Sequence, residues 1–199
     1  TLNMKQLMAS TVISAYALLS AQSLVAAEIE PINIPALQQE AKGVIKTLAG
    51  NLGSELKHAA KAGGLPAAIQ VCNTKASPIT QAVAEDKGWT VGRTSLKLRN
   101  EQNAPDDWEK TVLNKFEKQA AAGANLQKMV FSQVLVDDAG NKVFRMMKAI
   151  PVGDKCLACH GSKIKPEIVE KLNALYPADN ARGFNAGDLR GAFSLQKSL

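Results

Sequence analysis

Residues 154–161 read Asp-Lys-Cys-Leu-Ala-Cys-His-Gly, and the C-x-x-C-H spacing from Cys156 to His160 constrains this chain more than any other stretch. Two thiols three residues apart can each add to one vinyl group of a single porphyrin. A histidine directly after the second thiol can then reach the iron. The pattern therefore points to one covalently attached haem c, bonded through Cys156 and Cys159, with His160 as its proximal axial ligand. Two other chemistries use paired cysteines. A redox dithiol is expected between a strand and a helix of a βαβ unit, whereas this stretch follows a hairpin. A structural zinc site needs further ligands and usually a second pair, and the chain has no second C-x-x-C.

An iron in a porphyrin has a second axial position, and the residues leave it open. His58 stands near the end of a long helical pattern, where a solvated histidine interacts well with the helix dipole. Met129, Met146 and Met147 occupy apolar strand positions suited to core packing. Because Met146 and Met147 are adjacent, one at most can face a given side of a sheet. Cys72 is the third and last cysteine. It shares an apolar stripe with Ile69, Ala76 and Ile79, as a small core residue would. A vacant position, open to water or a gas, is the remaining alternative.

The amino terminus bears on where those cysteines live. Met4 is taken as the true start. Lys5 supplies a short positive region, an apolar run extends from Leu7 to about Val25, and Val25-Ala26-Ala27 has the small residues of a cleavage site. This is the layout of a secretory signal peptide over residues 1–27, ahead of one domain at 28–199. The rival reading is an uncleaved anchor, the only route by which the sequence suggests a membrane. Export implies a periplasmic, oxidising setting. There a lone thiol such as Cys72 is a liability unless it is buried or bound. The whole chain carries a net charge of +6, and loss of Lys5 with the leader leaves +5. No basic patch is interleaved with aromatics, which argues against nucleic acid.

Hydrophobic spacing predicts the elements. Residues 28–35 read as an extended lead-in, and Ala36 to about Ala62 as a helix stopped by Gly63-Gly64. A second helix starts at Pro66 and restarts near Ser77-Pro78, ending at Lys87-Gly88. Trp89–Leu98 alternates as a strand. Asp107-Trp108 opens a helix that Gly123 closes. Met129–Val136 and Lys142–Ile150 form a hairpin around Asp137–Asn141. Pro166–Leu175 is a short helix and Gly191–Leu195 a last strand. Helices first, then a mostly antiparallel sheet, make the fold class α+β.

Several separated stretches together carry a family likeness. They are Ala68–Cys72, Gly92–Asn100, Asn103–Glu109, Lys155–Gly161, Tyr176-Pro177 and Gly187–Gly191. In that order they resemble a bacterial family of c-type haem domains with a PAS-like fold, known mostly as a domain of unknown function. Its members include a soluble cyanobacterial c-type cytochrome and periplasmic sensor modules. Glu101 departs from the pattern, where proline is expected. The resemblance implies a PAS-like antiparallel sheet with N-terminal helices, and Cys72 as the distal ligand, hence His/Cys coordination. It also makes Arg93 and Arg99, ahead of Arg182 and Arg190, candidates to neutralise the haem propionates, since guanidinium pairs well with carboxylate.

Three functions compete on these grounds. A thiolate ligand stabilises ferric iron, so the first is a low-potential, six-coordinate periplasmic cytochrome in electron transfer. Lys148, Lys155, Lys163 and Lys165 flank the motif and suit an acidic redox protein as partner. The second is a redox or gas (NO or CO) sensor, in which the thiolate lets go on reduction. The third is a peroxidase-type enzyme, which needs a proton-handling distal group that only His58 could supply. The sequence does not state an oligomeric state.

Overall fold

The computed structural model describes residues 31–199. The signal-peptide reading of residues 1–27 lies outside the described residues. Among the described residues, no helix is long and apolar enough to cross a membrane.

The first helix, α1 (Ile34–Thr74), begins two residues before the expected start. The Asn33 side chain accepts from the Ala36 N–H at 3.0 Å, and Pro35 fits the first turn. Its leading half buries Ala41, Val44, Ile45, Leu48 and Leu52 along one stripe. The expected break occurs at Gly63-Gly64, where Gly64 takes φ +71°, a conformation that glycine adopts without a Cβ penalty. The trailing half carries Cys72. Helix α2 (Ala76–Lys87) restarts one residue before Ser77, which makes no cap bond, and ends at Gly88 in the left-handed region.

Four antiparallel strands follow: β1 (Thr90–Thr94), β2 (Val130–Val136), β3 (Lys142–Pro151) and β4 (Leu189–Ser198). Their order in the sheet is β1-β4-β3-β2. The fold is α+β and PAS-like, with the amino-terminal helices laid on one face of the sheet. Strand alternation divides the core. Phe144, Met146, Leu195 and Val91 pack with α1 and α2. Met147, Ala149 and Ala192 face the other way, onto Val112, Leu113 and Phe116 of α3 (Asp107–Ala121). Asp106 caps α3 in a reciprocal capping box with Glu109.

Two strand expectations are corrected. The first strand stops at Thr94 instead of Leu98, because Ser95 is drawn out of the ladder. Its hydroxyl donates to Arg190 O at 2.7 Å and accepts from the Lys97 N–H at 3.1 Å. The last strand runs from Leu189 to Ser198, longer at both ends than the apolar pattern indicated. It lies between β1 and β3, and its polar end at Lys197 and Ser198 is held by pairing with Phe144 and Val143 of β3. At Gly191 the chains approach so closely that any side chain would meet the Thr94 carbonyl. The hairpin turn is as expected: Asp137 Oδ1 accepts from the N–H groups of Ala139 and Asn141.

Candidate functional site

The C-x-x-C-H stretch leaves β3 through a 3₁₀ turn (Asp154–Cys156) and coils into α4 (Leu157–His160), one helical turn. This folding brings Cys156, Cys159 and His160 onto one short spiral. Gly161 ends it, because a Cβ there would lie 2.6 Å from Leu157 O. Cys156 is exposed, while Cys159 is half-buried and packs against Ile69, Ile168, Leu172 and Tyr176.

His160 is held from several directions. Its Nδ1 lies 2.8 Å from Ala181 O. A carbonyl only accepts, so Nδ1 carries the hydrogen and Nε2 keeps its lone pair. Burial, with the positive charges of Arg99 and Arg190, pushes the imidazole pKa down to about 3 against the opposing pull of Ala181 O and Asp179. The ring is neutral at ordinary pH, as a metal ligand must be. The His160 carbonyl accepts from Phe184 N–H at 3.0 Å, and the Phe184 ring meets the imidazole edge-on at 6.3 Å.

The return loop between α5 (Pro166–Leu175) and β4 supplies these partners. Its anchor is Asp179, whose side chain is 1 % exposed. Arg99 reaches it through Nε at 3.1 Å and Nη2 at 3.2 Å. Arg182 donates to the same carboxylate at 2.7 Å. Arg99 Nη2 also donates to the carbonyls of Cys159 and Ala181. Asp179, Ala181 and Phe184 were not singled out by the sequence reading. The one local signal was Asp179 in a Pro-Ala-Asp-Asn turn, where its Oδ1 accepts from Ala181 N–H in an Asx turn.

Cys72 comes from the other direction. Ile69, one turn earlier on α1, belongs to the cluster that also holds Cys159, so the trailing half of α1 lies over the motif. Burial pushes the Cys72 thiol up, Arg93 pulls it down, and Cys159 adds to the rise. The third cysteine therefore stands close to the motif. Arg93 follows Val91 on β1 by two residues and so faces the same side, toward α1. Burial lowers its pKa, and the thiol of Cys72 and the phenol of Tyr176 oppose that. Among the described residues no carboxylate or carbonyl pairs with it.

The remaining candidates are engaged elsewhere. His58 is exposed on α1. Met146 is enclosed with α1 and α2, and Met129 and Met147 with α3. Arg190 donates to Ser95 Oγ at 3.0 Å and Lys97 O at 3.1 Å and lies over Phe184, and Arg182 divides its donors between Asp179 and Asn173. The site thus joins two thiols on one spiral, a neutral imidazole whose Nε2 meets Arg99 Nη1 at 3.5 Å, a third thiol nearby and an unpaired arginine. The set suits a c-type haem: its donors are one nitrogen and one sulfur, and Arg93 is unmatched by protein anions.

Comparisons with known proteins agree with this architecture. No curated protein sequence matches the chain. Among solved structures, it is similar to the cyanobacterial heme-protein Tll0287, at 27% identity and a TM-score of 0.55, covering 84% of this chain and 97% of that one. The Tll0287-like family matches residues 3–198, almost the whole sequence. The chain belongs to the Tll0287-like family.

Proposed function

We propose that this protein is a monohaem c-type cytochrome of the periplasm that carries electrons. The observation behind this is the convergence of Cys72 on the Cys156–His160 spiral. Cys156 and Cys159 would hold the porphyrin by thioether bonds, His160 Nε2 would take one axial position, and Cys72 Sγ the other. Arg93 is the guanidinium left free for a propionate, since Arg99 is turned inward. Bound there, the haem supplies one-electron redox chemistry, and a thiolate ligand favours its ferric state. Electron exchange is supported by the exposed Cys156 and the exposed Lys155, Lys163 and Lys165 around it, which suit an acidic redox partner. Lys148 contributes less, because its ammonium is tied to Gln127 O at 2.7 Å.

A second reading, redox or gas sensing, is favoured by one observation. The Cys72 thiol is desolvated, which disfavours the thiolate whenever the iron holds it less strongly. Three measurements test these readings. Haem staining after denaturing electrophoresis should show porphyrin that stays with the chain, and the ferric electron paramagnetic resonance spectrum should be low-spin with His/thiolate character. A chain that loses its porphyrin on denaturation sinks covalent attachment, and a high-spin ferric spectrum sinks the Cys72 assignment. Tight CO or NO binding by the ferrous protein would move the assignment from carrier to sensor.

A further inference from the structure

The ion pair between Arg99 and Asp179 is buried, and its location is informative. Removing a buried pair in favour of apolar residues is often neutral or stabilising, so stability alone explains such a pair poorly. This one does something more specific than fill a core. Asp179 Oδ1 accepts from Arg99 Nε and Ala181 N–H, and Oδ2 accepts from Arg99 Nη2 and Arg182 Nε. Residue 181 is thereby held at both its polar groups. Its N–H goes to Asp179 at 2.9 Å, and its carbonyl takes Arg99 Nη2 at 3.2 Å and His160 Nδ1 at 2.8 Å. Arg99 also ties Cys159 O, on the residue before His160. The neighbouring backbone closes the knot, with Asn180 N–H donating to Leu98 O at 2.7 Å.

We infer that Arg99 and Asp179 are positioning residues for His160. Together they fix the Ala181 carbonyl, which sets the tautomer and tilt of the imidazole. This rests on the reading of His160 as an iron ligand. It assigns Arg99 to the loop that backs His160 instead of to a propionate. Arg99 Nη1 also meets Nε2 at 3.5 Å, a long and therefore weak contact that a metal at Nε2 would replace.

The test compares haem-loaded Asp179→Asn, Arg99→Lys and Arg182→Ala with the wild type. Asn is isosteric but donates where the carboxylate accepted. Lys keeps the charge and loses the fork, so it carries the test if the first variant fails to accumulate. Arg182 touches Asp179 without touching the Ala181 or Cys159 carbonyls. A weakened Nδ1–H bond makes the ligand less basic. The first two variants should therefore retain bound porphyrin while their midpoint potential rises and their ferric g-values shift. Their resistance to displacement of His160 by added imidazole should drop about tenfold. Arg182→Ala should shift all three by less than either of them. Unmoved potential and g-values in the first two variants overturn the inference alone, and so does an equal shift in Arg182→Ala. Wild-type protein that holds no haem overturns the function proposed above, and the inference with it.

Discussion

The two proposed iron ligands arrive on different kinds of scaffold. His160 sits on a one-turn spiral stitched to a return loop by directed bonds from Ala181, Phe184 and Arg99, with Asp179 at the base. Cys72 rides on the trailing half of a long helix, fastened to α5 mainly by apolar contact of Ile69 with Ile168, Leu172 and Tyr176. Two polar ties assist it, Lys171 Nζ to Gln70 Oε1 at 2.8 Å and Asn73 Nδ2 to Leu175 O at 3.4 Å. Hydrogen bonds fix an angle, whereas apolar packing tolerates small slides. The difference teaches that one ligand is oriented and the other is delivered. If either lets go, it should be Cys72.

The most severe break in this comparison is Cys72→Ala. It should convert the ferric spectrum from low-spin to high-spin or His/water character, with porphyrin still attached. The side chain is small and half-buried, so stability should move by no more than ~1 kcal/mol. An unchanged ferric spectrum would show that the delivered ligand is not Cys72.

The delivering contact comes next. Leu172 is fully buried, at 0% exposure, in the cluster that carries Ile69. Leu172→Ala should cost about 2–5 kcal/mol by urea unfolding, from lost burial and the cavity it leaves. It should also speed CO binding to the ferrous protein, because the helix bearing Cys72 loses its seat. Destabilisation without faster binding would show that α5 supports the fold and not the ligand.

These two flanks were also unequally legible in the sequence. The motif, the Asp137–Asn141 turn and α5 at Pro166–Leu175 are written in short-range chemistry, in glycine, proline and spacing, and they stand where expected. The glycine break in α1 was readable for the same reason. Long-range bonding was not. β1 ends at Thr94 because Ser95 bonds to a strand 95 residues away, which no local alternation encodes. Asp179 looked like an ordinary turn aspartate until Arg99, 80 residues earlier, reached it. Cys72 stood out only as the unmatched third cysteine, and the family likeness gave it a role that its helical stripe left open.

Gly64→Ala sharpens the comparison more gently. At φ +71° and ψ −168° an alanine is strained, and the cost should be about 1–3 kcal/mol by urea unfolding. Gly64 sets where the trailing half of α1 points, so the strain should appear in the ferric g-values through Cys72. The His160 side should not feel it, and imidazole displacement of His160 should be unchanged. A change there would join the two flanks into one unit.

Acid separates the flanks by the smallest effect. Burial pushes the Asp179 carboxyl up, but hydrogen bonds from Arg99 and Arg182 outweigh it and hold the group below the usual carboxylate range. A carboxyl whose pKa is depressed in the folded state stabilises that state above its unfolded value, near 4. The contribution drains away as pH falls from there through the folded value. Between pH 4 and the folded pKa, wild-type stability should therefore decline more steeply than that of Asp179→Asn, which has no proton to take up. Chemical unfolding at stepped pH, followed by circular dichroism, measures both slopes. The excess slope of the wild type over Asp179→Asn then belongs to the loop behind His160, which holds that carboxylate. Equal slopes in the two proteins would place the acid-sensitive bonds elsewhere and remove Asp179 as the anchor of the oriented side.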